Sequence, residues 1–289
     1  MLRLAGPDPL LAFFSICVAL DEPPFSKSPS TLVSTETGEQ ALDVLIRLYK
    51  RMDPVALGLN PIALLDRMAT TNAVSYCPLV YGYTNYANAG GMDGHPLFFT
   101  NAPVFSPHCR PGSTLGGTGV AVSRKTKITP SLNAFLHWLI APSTQADFIP
   151  SHAGQPCLRV ACVNARSNRF YLDTLTTMEH SWVRPRFPGY IEFQSAGAAT
   201  IRSGLLDGDL PSTIFARLTC IAQKVLSPQR ARCFGSRVIF EGQPNYRRNA
   251  LSATCRQFVS PRKTPSRGAV RSRRNASRHS GAGRPPRPR

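Results

Sequence analysis

Residues 112–156 read GSTLGGTGVAVSRKTKITPSLNAFLHWLIAPSTQADFIPSHAGQP and combine a glycine-rich loop, a short apolar run and an amphipathic segment. The loop leaves the backbone without side-chain cover at three positions, Gly116, Gly117 and Gly119. Bare backbone of this kind lets a ligand approach the main chain closely. The apolar run at residues 120–123 predicts a buried strand. Thr129 then fits an N-cap, with Pro130 at the first helical position.

Helical and strand-like patterns alternate along the first 225 residues. Helices are predicted near residues 10–20, 38–52, 60–70, 168–178, 198–205 and 212–225, where apolar residues recur at helical spacing. Short apolar runs at residues 73–80 and 97–100 predict further strands. We read residues 10–20 as a buried helix and not as an export signal, since no small-residue cleavage site follows them. Together these patterns predict an α/β fold in which helices cover a sheet.

The net charge of +18 is distributed very unevenly. Residues 1–217 contain 17 basic and 15 acidic side chains, whereas residues 218–289 contain 17 basic side chains and 1 acidic one. From residue 261 onward no aliphatic side chain is larger than that of Val270, so this end cannot form a core. We expect a domain at residues 1–228 and a basic, disordered tail at 229–289. The tail either binds nucleic acid through arginine–phosphate contacts or does not belong to the natural reading frame of the domain.

Motifs for catalysis and metal binding are lacking. The sequence has no G-x-S-x-G, no G-x-x-x-x-G-K-[ST] and no H-E-x-x-H, although a Ser/His/Asp set assembled only by folding stays open. The 8 cysteines are scattered without a C-x-x-C pair, which favours buried free thiols over a zinc site or a disulfide framework. We therefore expect a protein that is not an enzyme and uses no metal or other cofactor.

Aromatic and planar polar side chains offer better candidates for binding. Aromatic rings stack on the C–H faces of sugars, and planar amide or guanidinium groups match sugar hydroxyls. The candidate ligand-binding residues are Tyr81, Tyr83, Tyr86, Gly116, Gly117, Gln155, Trp182, Arg184 and Arg186. The alternative is structural: the tyrosines pack beneath their loop, and the arginines pair with helix caps or with Glu192. Trp138 lies on the apolar face of its predicted helix and is expected in the core.

The order of these segments resembles the family 1 extracellular solute-binding proteins, the capture subunits of ABC importers, many of them for sugars. Four matches carry the resemblance: the glycine loop with its following AVS, the helix ending in Trp138, NPIALLDRMATTNAVSYCPLVYGYTNYA at 60–87 and WVRPRFPGYIEFQ at 182–194. Along residues 10–225 these segments occur in the same order as in the family. The resemblance implies an incomplete, type II periplasmic-binding-protein-like α/β lobe, mainly the C-terminal one. The family's N-terminal lobe would precede Met1.

The resemblance also implies a function. It implies the substrate-binding component of an ABC importer, with a sugar or other small polar solute as ligand and membrane permease subunits as partners. Family members close two lobes around the ligand. A chain with one lobe lacks half of the cleft, so we expect weak sugar binding or none. Family members are periplasmic or extracellular, but without a convincing signal this chain as written is expected in the cytoplasm. The alternative function is a basic nucleic-acid-associated protein that acts through its tail.

Overall fold

The computed structural model describes residues 4–28, 31–88, 94–117, 119–164 and 169–225. Helices dominate this part of the chain, and short 3₁₀ turns at Pro54–Gly58 and Thr84–Ala87 and a π turn at Thr144–Phe148 join some of them. The α-helices are α1 (Asp8–Ala19), α2 (Thr35–Tyr49), α3 (Pro61–Thr70), α4 (Pro130–Ile140), α5 (Ile149–Ser151), α6 (Arg159–Asn164), α7 (Phe170–Asp173), α8 (Leu175–His180), α9 (Tyr190–Asp207) and α10 (Pro211–Val225).

Helix α1 is the centre of the main core. Every one of its 12 residues is buried, as expected for a helix that is apolar around its whole circumference. It packs against α2 and α9, and α10 packs against the same two helices. The four helices therefore contribute to one shared apolar core. This arrangement confirms the prediction of a buried helix at residues 10–20.

The helices around α1 are amphipathic. On α2 the buried face consists of Gly38, Ala41, Leu42 and Leu45. On its outer face the guanidinium Nε of Arg47 lies 3.0 Å from a carboxylate oxygen of Asp43. Since residues four apart share one helix face, this charge pair follows from the sequence spacing.

Side-chain caps explain where several helices begin. The Asn60 carbonyl oxygen accepts a hydrogen bond from the Ala63 amide at 2.9 Å, and the Thr129 hydroxyl accepts one from Leu132 at 3.2 Å. The Thr129 cap was predicted from the sequence, and the helix capped by Asn60 is the one predicted near residues 60–70. Helix α2 instead begins at Thr35, because Ser34 caps it and accepts the amide hydrogen of Thr37. The predicted start at residue 38 was therefore wrong.

Glu22 connects the end of α1 to the start of α2. Its carboxylate accepts hydrogen bonds from the Ser34 amide at 2.8 Å and from the hydroxyls of Ser34 and Thr37, both at 2.5 Å. The Lys27 ammonium lies 2.7 Å from the same carboxylate. Partial burial opposes ionisation, but these donors outweigh it and lower the pKa of Glu22 to about 2.

This lowered pKa predicts an acid-dependent loss of stability. An unfolded glutamate titrates near pH ~4.3, so the stabilisation by ionised Glu22 is complete above that pH. It is lost as the pH falls toward the folded-state pKa of about 2. Glu22→Gln should therefore flatten the dependence of the unfolding midpoint on pH between these two values. Urea titrations across this range would check it, with exposed Glu36→Gln as the control that keeps the wild-type slope. An unchanged slope in the Glu22 variant would contradict this role.

The expected sheet is absent from the described residues. Within them, β-type pairing is confined to two isolated bridges, one between Ser28 and Thr31 and one between Thr114 and Trp182. The prediction of an α/β, type II periplasmic-binding-protein-like lobe was therefore wrong, and the described part is helical. An apolar run becomes a strand only when another strand satisfies its backbone groups. No second strand lies beside residues 73–80, 97–100 or 120–123 within the described part.

Smaller clusters and exposed segments surround the helical core. Leu65, Ala69 and Tyr86 form one cluster, and Phe170 packs with Tyr171 in another. Among the described helices, none combines the length and the apolar character that a membrane crossing requires. The predicted tail at 229–289, with its nucleic-acid-binding interpretation, lies outside the described residues.

Candidate functional site

The start of the glycine loop is fixed to the helical core by backbone hydrogen bonds. The Trp182 amide donates to the carbonyl of Ser113 at 2.8 Å, and the Leu115 amide donates to the carbonyl of Trp182 at 2.8 Å. Three residues before Ser113, the Arg110 side chain donates to the Val18 carbonyl of α1 at 3.1 Å. These bonds hold the loop against the segment that precedes α9.

Tyr81 packs against the glycine loop. Its hydroxyl shares a hydrogen bond of 2.8 Å with the hydroxyl of Thr114. A Cβ atom on Gly116 would lie 2.8 Å from the edge of the Tyr81 ring, so any side chain at this position would displace the tyrosine. The structure thus brings together two of the predicted binding residues, Tyr81 and Gly116. Gly116 and the neighbouring Gly117 are both exposed.

Tyr190, at the start of α9, lies close to Tyr81 and Arg184. Its side chain is only 4% exposed, and its hydroxyl has no hydrogen-bond partner among the described residues. Burial raises the pKa of Tyr190 well above its ordinary value; the positive charge of Arg184 opposes this rise, and Tyr81 adds to it. Neither side chain is hydrogen-bonded to the Tyr190 hydroxyl; Tyr190 belongs to the main core, and Tyr81 packs against that core. A buried hydroxyl without a partner costs free energy unless something else satisfies it.

Arg184 and Gln194 form a planar polar pair beside this hydroxyl. The Arg184 guanidinium donates to the Gln194 side-chain carbonyl at 3.0 Å. Gln194 was not among the predicted alternative partners, which were the helix caps and Glu192. We call the residues that these contacts connect the Tyr81 cluster: Tyr81, Thr114, Gly116, Trp182, Arg184, Tyr190 and Gln194. The cluster offers a guanidinium, an amide, an unpartnered hydroxyl and aromatic edges within one region.

The two tryptophans occupy opposite environments. The half-buried indole of Trp182 meets the ring of Phe14 edge to face, with centroids 5.4 Å apart, so part of it belongs to the main core. Trp138 is 42% exposed on α4, a helix without a buried residue. The prediction of a core role for Trp138 was wrong, because an apolar helix face does not specify what packs against it.

Tyr83 and Tyr86 belong to a different cluster. Tyr86 is 4% exposed, and its hydroxyl donates to a carboxylate oxygen of Asp66 at 2.6 Å. Burial and the Asp66 carboxylate together raise the pKa of Tyr86 well above its ordinary value. Tyr83 is half-buried and packs against the same cluster. Tyr83 and Tyr86 therefore match the structural alternative, in which the tyrosines pack beneath their loop.

The other candidates lie on the surface. Gln155 and Arg186 are exposed, and none of the contacts described for the Tyr81 cluster involves either of them. Sequence reasoning in turn missed three members of the cluster, Thr114, Tyr190 and Gln194. Tyr190 and Gln194 sit in a segment that was quoted only as part of a motif. No local pattern reveals that a hydroxyl 33 residues away, on Thr114, will meet Tyr81.

The cysteines fit the prediction of buried thiols only in part. All six in the described residues are free: Cys17 is buried, Cys77, Cys109 and Cys162 are half-buried, and Cys157 and Cys220 are exposed. Burial raises the pKa of the Cys17 thiol well above its ordinary value, which keeps it protonated and unreactive. In the described part of the chain, histidine, cysteine and carboxylate side chains form no group that could hold a metal ion.

The Tyr81 cluster can bind through hydrogen bonds and aromatic contact. It combines donors and acceptors of fixed geometry with a loop of exposed backbone, the kinds of group that recognise hydroxylated molecules. Comparison with protein-family models, with curated proteins and with solved structures finds no match for this chain.

Proposed function

We propose that the chain binds a carbohydrate, or a solute of similar polarity, at the Tyr81 cluster, and that it serves as the substrate-binding component of an ABC importer. The observation that supports binding most directly is the buried Tyr190 hydroxyl without a partner, beside Arg184 and Tyr81. A sugar hydroxyl has both a donor and an acceptor and would be a partner for it once the side chains that cover this buried oxygen move aside. A hydrogen bond to this hydroxyl would offset the free-energy cost of leaving it buried and unpaired.

The neighbouring groups favour the same class of ligand. The Arg184–Gln194 pair has further guanidinium and amide hydrogens to donate beyond the bond between the two side chains. The half-buried rings of Tyr81 and Trp182 offer apolar edges for the C–H groups of a sugar. The amides of exposed Gly116 and Gly117 supply backbone donors.

The importer role rests on the sequence resemblance and is the less direct part of the proposal. Since the described residues contain no α/β lobe, the fold gives it no support. The cluster lies beside an exposed loop and is not enclosed by a second lobe within the described residues. We therefore expect dissociation constants in the millimolar range, because little of the ligand surface would be buried.

A fluorescence titration would test carbohydrate binding. The chain has 2 tryptophans, so Trp138→Phe leaves Trp182, in the Tyr81 cluster, as the only reporter. We expect saturable changes in its emission with at least one of glucose, xylose, maltose, sucrose and trehalose. The absence of saturation with every sugar, in a protein whose circular dichroism shows it folded, would overturn the proposal.

Tyr190→Phe provides the decisive variant in that background. It removes the unpartnered hydroxyl and keeps the ring, so stability should stay equal or rise by up to ~1 kcal/mol. Sugar affinity should fall about fivefold, the loss of roughly one hydrogen bond. Tyr83→Phe is the matched control, because Tyr83 packs in the other tyrosine-containing cluster. Equal affinity in both variants would remove Tyr190 from the binding site.

A further inference from the structure

A concave site beside Gly112 has a lining that differs from the residues of the Tyr81 cluster. It is a cavity of about 380 Å³ between α1, α2 and the segments at residues 76–79 and 103–105. This volume falls within the usual range of small-molecule pockets, roughly 300–1,000 Å³. None of the seven residues of the Tyr81 cluster lines it.

The cavity has an apolar floor and apolar walls. Ile16 and Ala19 of α1 form part of its floor and are buried in the main core. Val44 and Leu48, one turn apart on α2, form one wall. Opposite them Val104 and Phe105 are 45% and 46% exposed, although they are large and apolar. Exposed apolar side chains around a concave space favour an apolar ligand body.

A single charge accompanies this apolar lining. Of the described residues around the cavity, only Ser15, Arg51 and Tyr76 have polar side chains, and only Arg51 is charged. The Ser15 hydroxyl already donates to the Leu11 carbonyl at 2.8 Å. Arg51 donates to the Arg47 carbonyl at 3.2 Å and pairs with no carboxylate among the described residues. Its guanidinium can therefore accept an anionic partner in the fork geometry that suits a carboxylate.

We propose that this cavity binds an apolar monocarboxylate of the medium-chain fatty-acid class. The hydrocarbon chain lies against α1, α2 and the Val104–Phe105 segment, and the carboxylate pairs with Arg51 at the edge. Charge complementarity favours a carboxylate head group. The guanidinium would repel an ammonium group, and an alcohol would form no ion pair with it. The lining provides no carboxylate among the described residues that could recognise a cation.

Calorimetric titration of the full chain with decanoate tests the proposal directly. Decanol and decylamine are the head-group controls, since all three share one hydrocarbon chain. We expect saturable binding of decanoate, weaker binding of decanol and the weakest binding of decylamine. Equal affinity for decanoate and decanol, or no binding of decanoate, would overturn the proposal.

Three variants locate the ligand. Arg51→Gln should weaken decanoate binding about fivefold, as for a partly solvated ion pair, and leave decanol binding unchanged. Arg47→Gln is the matched control: it removes the same charge one turn earlier on α2, where Arg47 pairs with Asp43. Val104→Trp fills the cavity from an exposed position and should abolish binding without unfolding the protein, as circular dichroism would show. Undiminished binding in Val104→Trp, or equal losses in the two arginine variants, would contradict the assigned site. Sugar titrations of the same variants should be unaffected, which separates this proposal from the Tyr81 cluster.

Discussion

Phe14→Ala is expected to lower the free energy of unfolding by about 4 kcal/mol, a large fraction of the stability of a typical domain. Phe14 is fully buried at the middle of α1. Its ring centroid lies 5.4 Å from Trp182, 5.8 Å from Phe13 and 6.4 Å from Phe193. Truncation removes these contacts and leaves a cavity that the surrounding helices cannot close, because each is held by its other contacts. Urea unfolding followed by circular dichroism measures the loss.

Phe98→Ala is the control for this experiment. The side chain is 98% exposed, so the same chemical change removes almost no buried surface. Its free energy of unfolding should stay within about 0.5 kcal/mol of that of the natural sequence. Similar losses in the two variants would show that Phe14 is not at the centre of the core.

The helices could be predicted because their signals are local. The apolar run at residues 10–14 of α1 and the spaced apolar residues of α10, such as Ile214 and Leu218, each indicate a helix without knowledge of the rest of the chain. The caps at Asn60 and Thr129 are local as well.

The strands could not be predicted in this way because a strand depends on a partner. The run at residues 120–123 has the composition of a buried strand, yet Val120 is 65% exposed, and no strand among the described residues pairs with it. The same holds for residues 97–100, where Phe98 is almost fully exposed. Composition indicates that such residues favour extended backbone in a packed layer. It does not show that the packed layer exists.

The sequence predicted the types of residue in the candidate site but not which individual residues form it. Aromatic, glycine and arginine residues were expected to bind; of these, Tyr81 packs on Gly116, and Trp182 is hydrogen-bonded to the same loop. Tyr86 has the same chemistry but hydrogen-bonds Asp66 in another cluster. Long-range packing places the two tyrosines in different clusters: the Tyr81 hydroxyl bonds to a residue 33 positions away. No sequence spacing distinguishes Tyr81 from Tyr86. The unpartnered Tyr190 hydroxyl is likewise a property of the assembled surroundings.

Gly112→Ala is expected to lower the free energy of unfolding by about 3 kcal/mol, although it adds a single methyl group. A Cβ atom at this position would lie 2.0 Å from the Ser15 carbonyl oxygen and 2.7 Å from the Ala19 amide nitrogen, both backbone atoms of α1. Backbone inside a packed helix cannot move aside, so the loop must lift away and weaken the hydrogen bonds between its next residues and Trp182. Trp182 emission in the Trp138→Phe background should shift to longer wavelength, and the urea midpoint should fall.

Gly117→Ala, five residues further along the same loop, is the control: its added Cβ meets nothing within 4 Å, so stability should stay within about 0.5 kcal/mol of the parent. If Gly112→Ala proved as stable as Gly117→Ala, the close contact between the loop and α1 would be refuted, and with it the anchoring of the Tyr81 cluster.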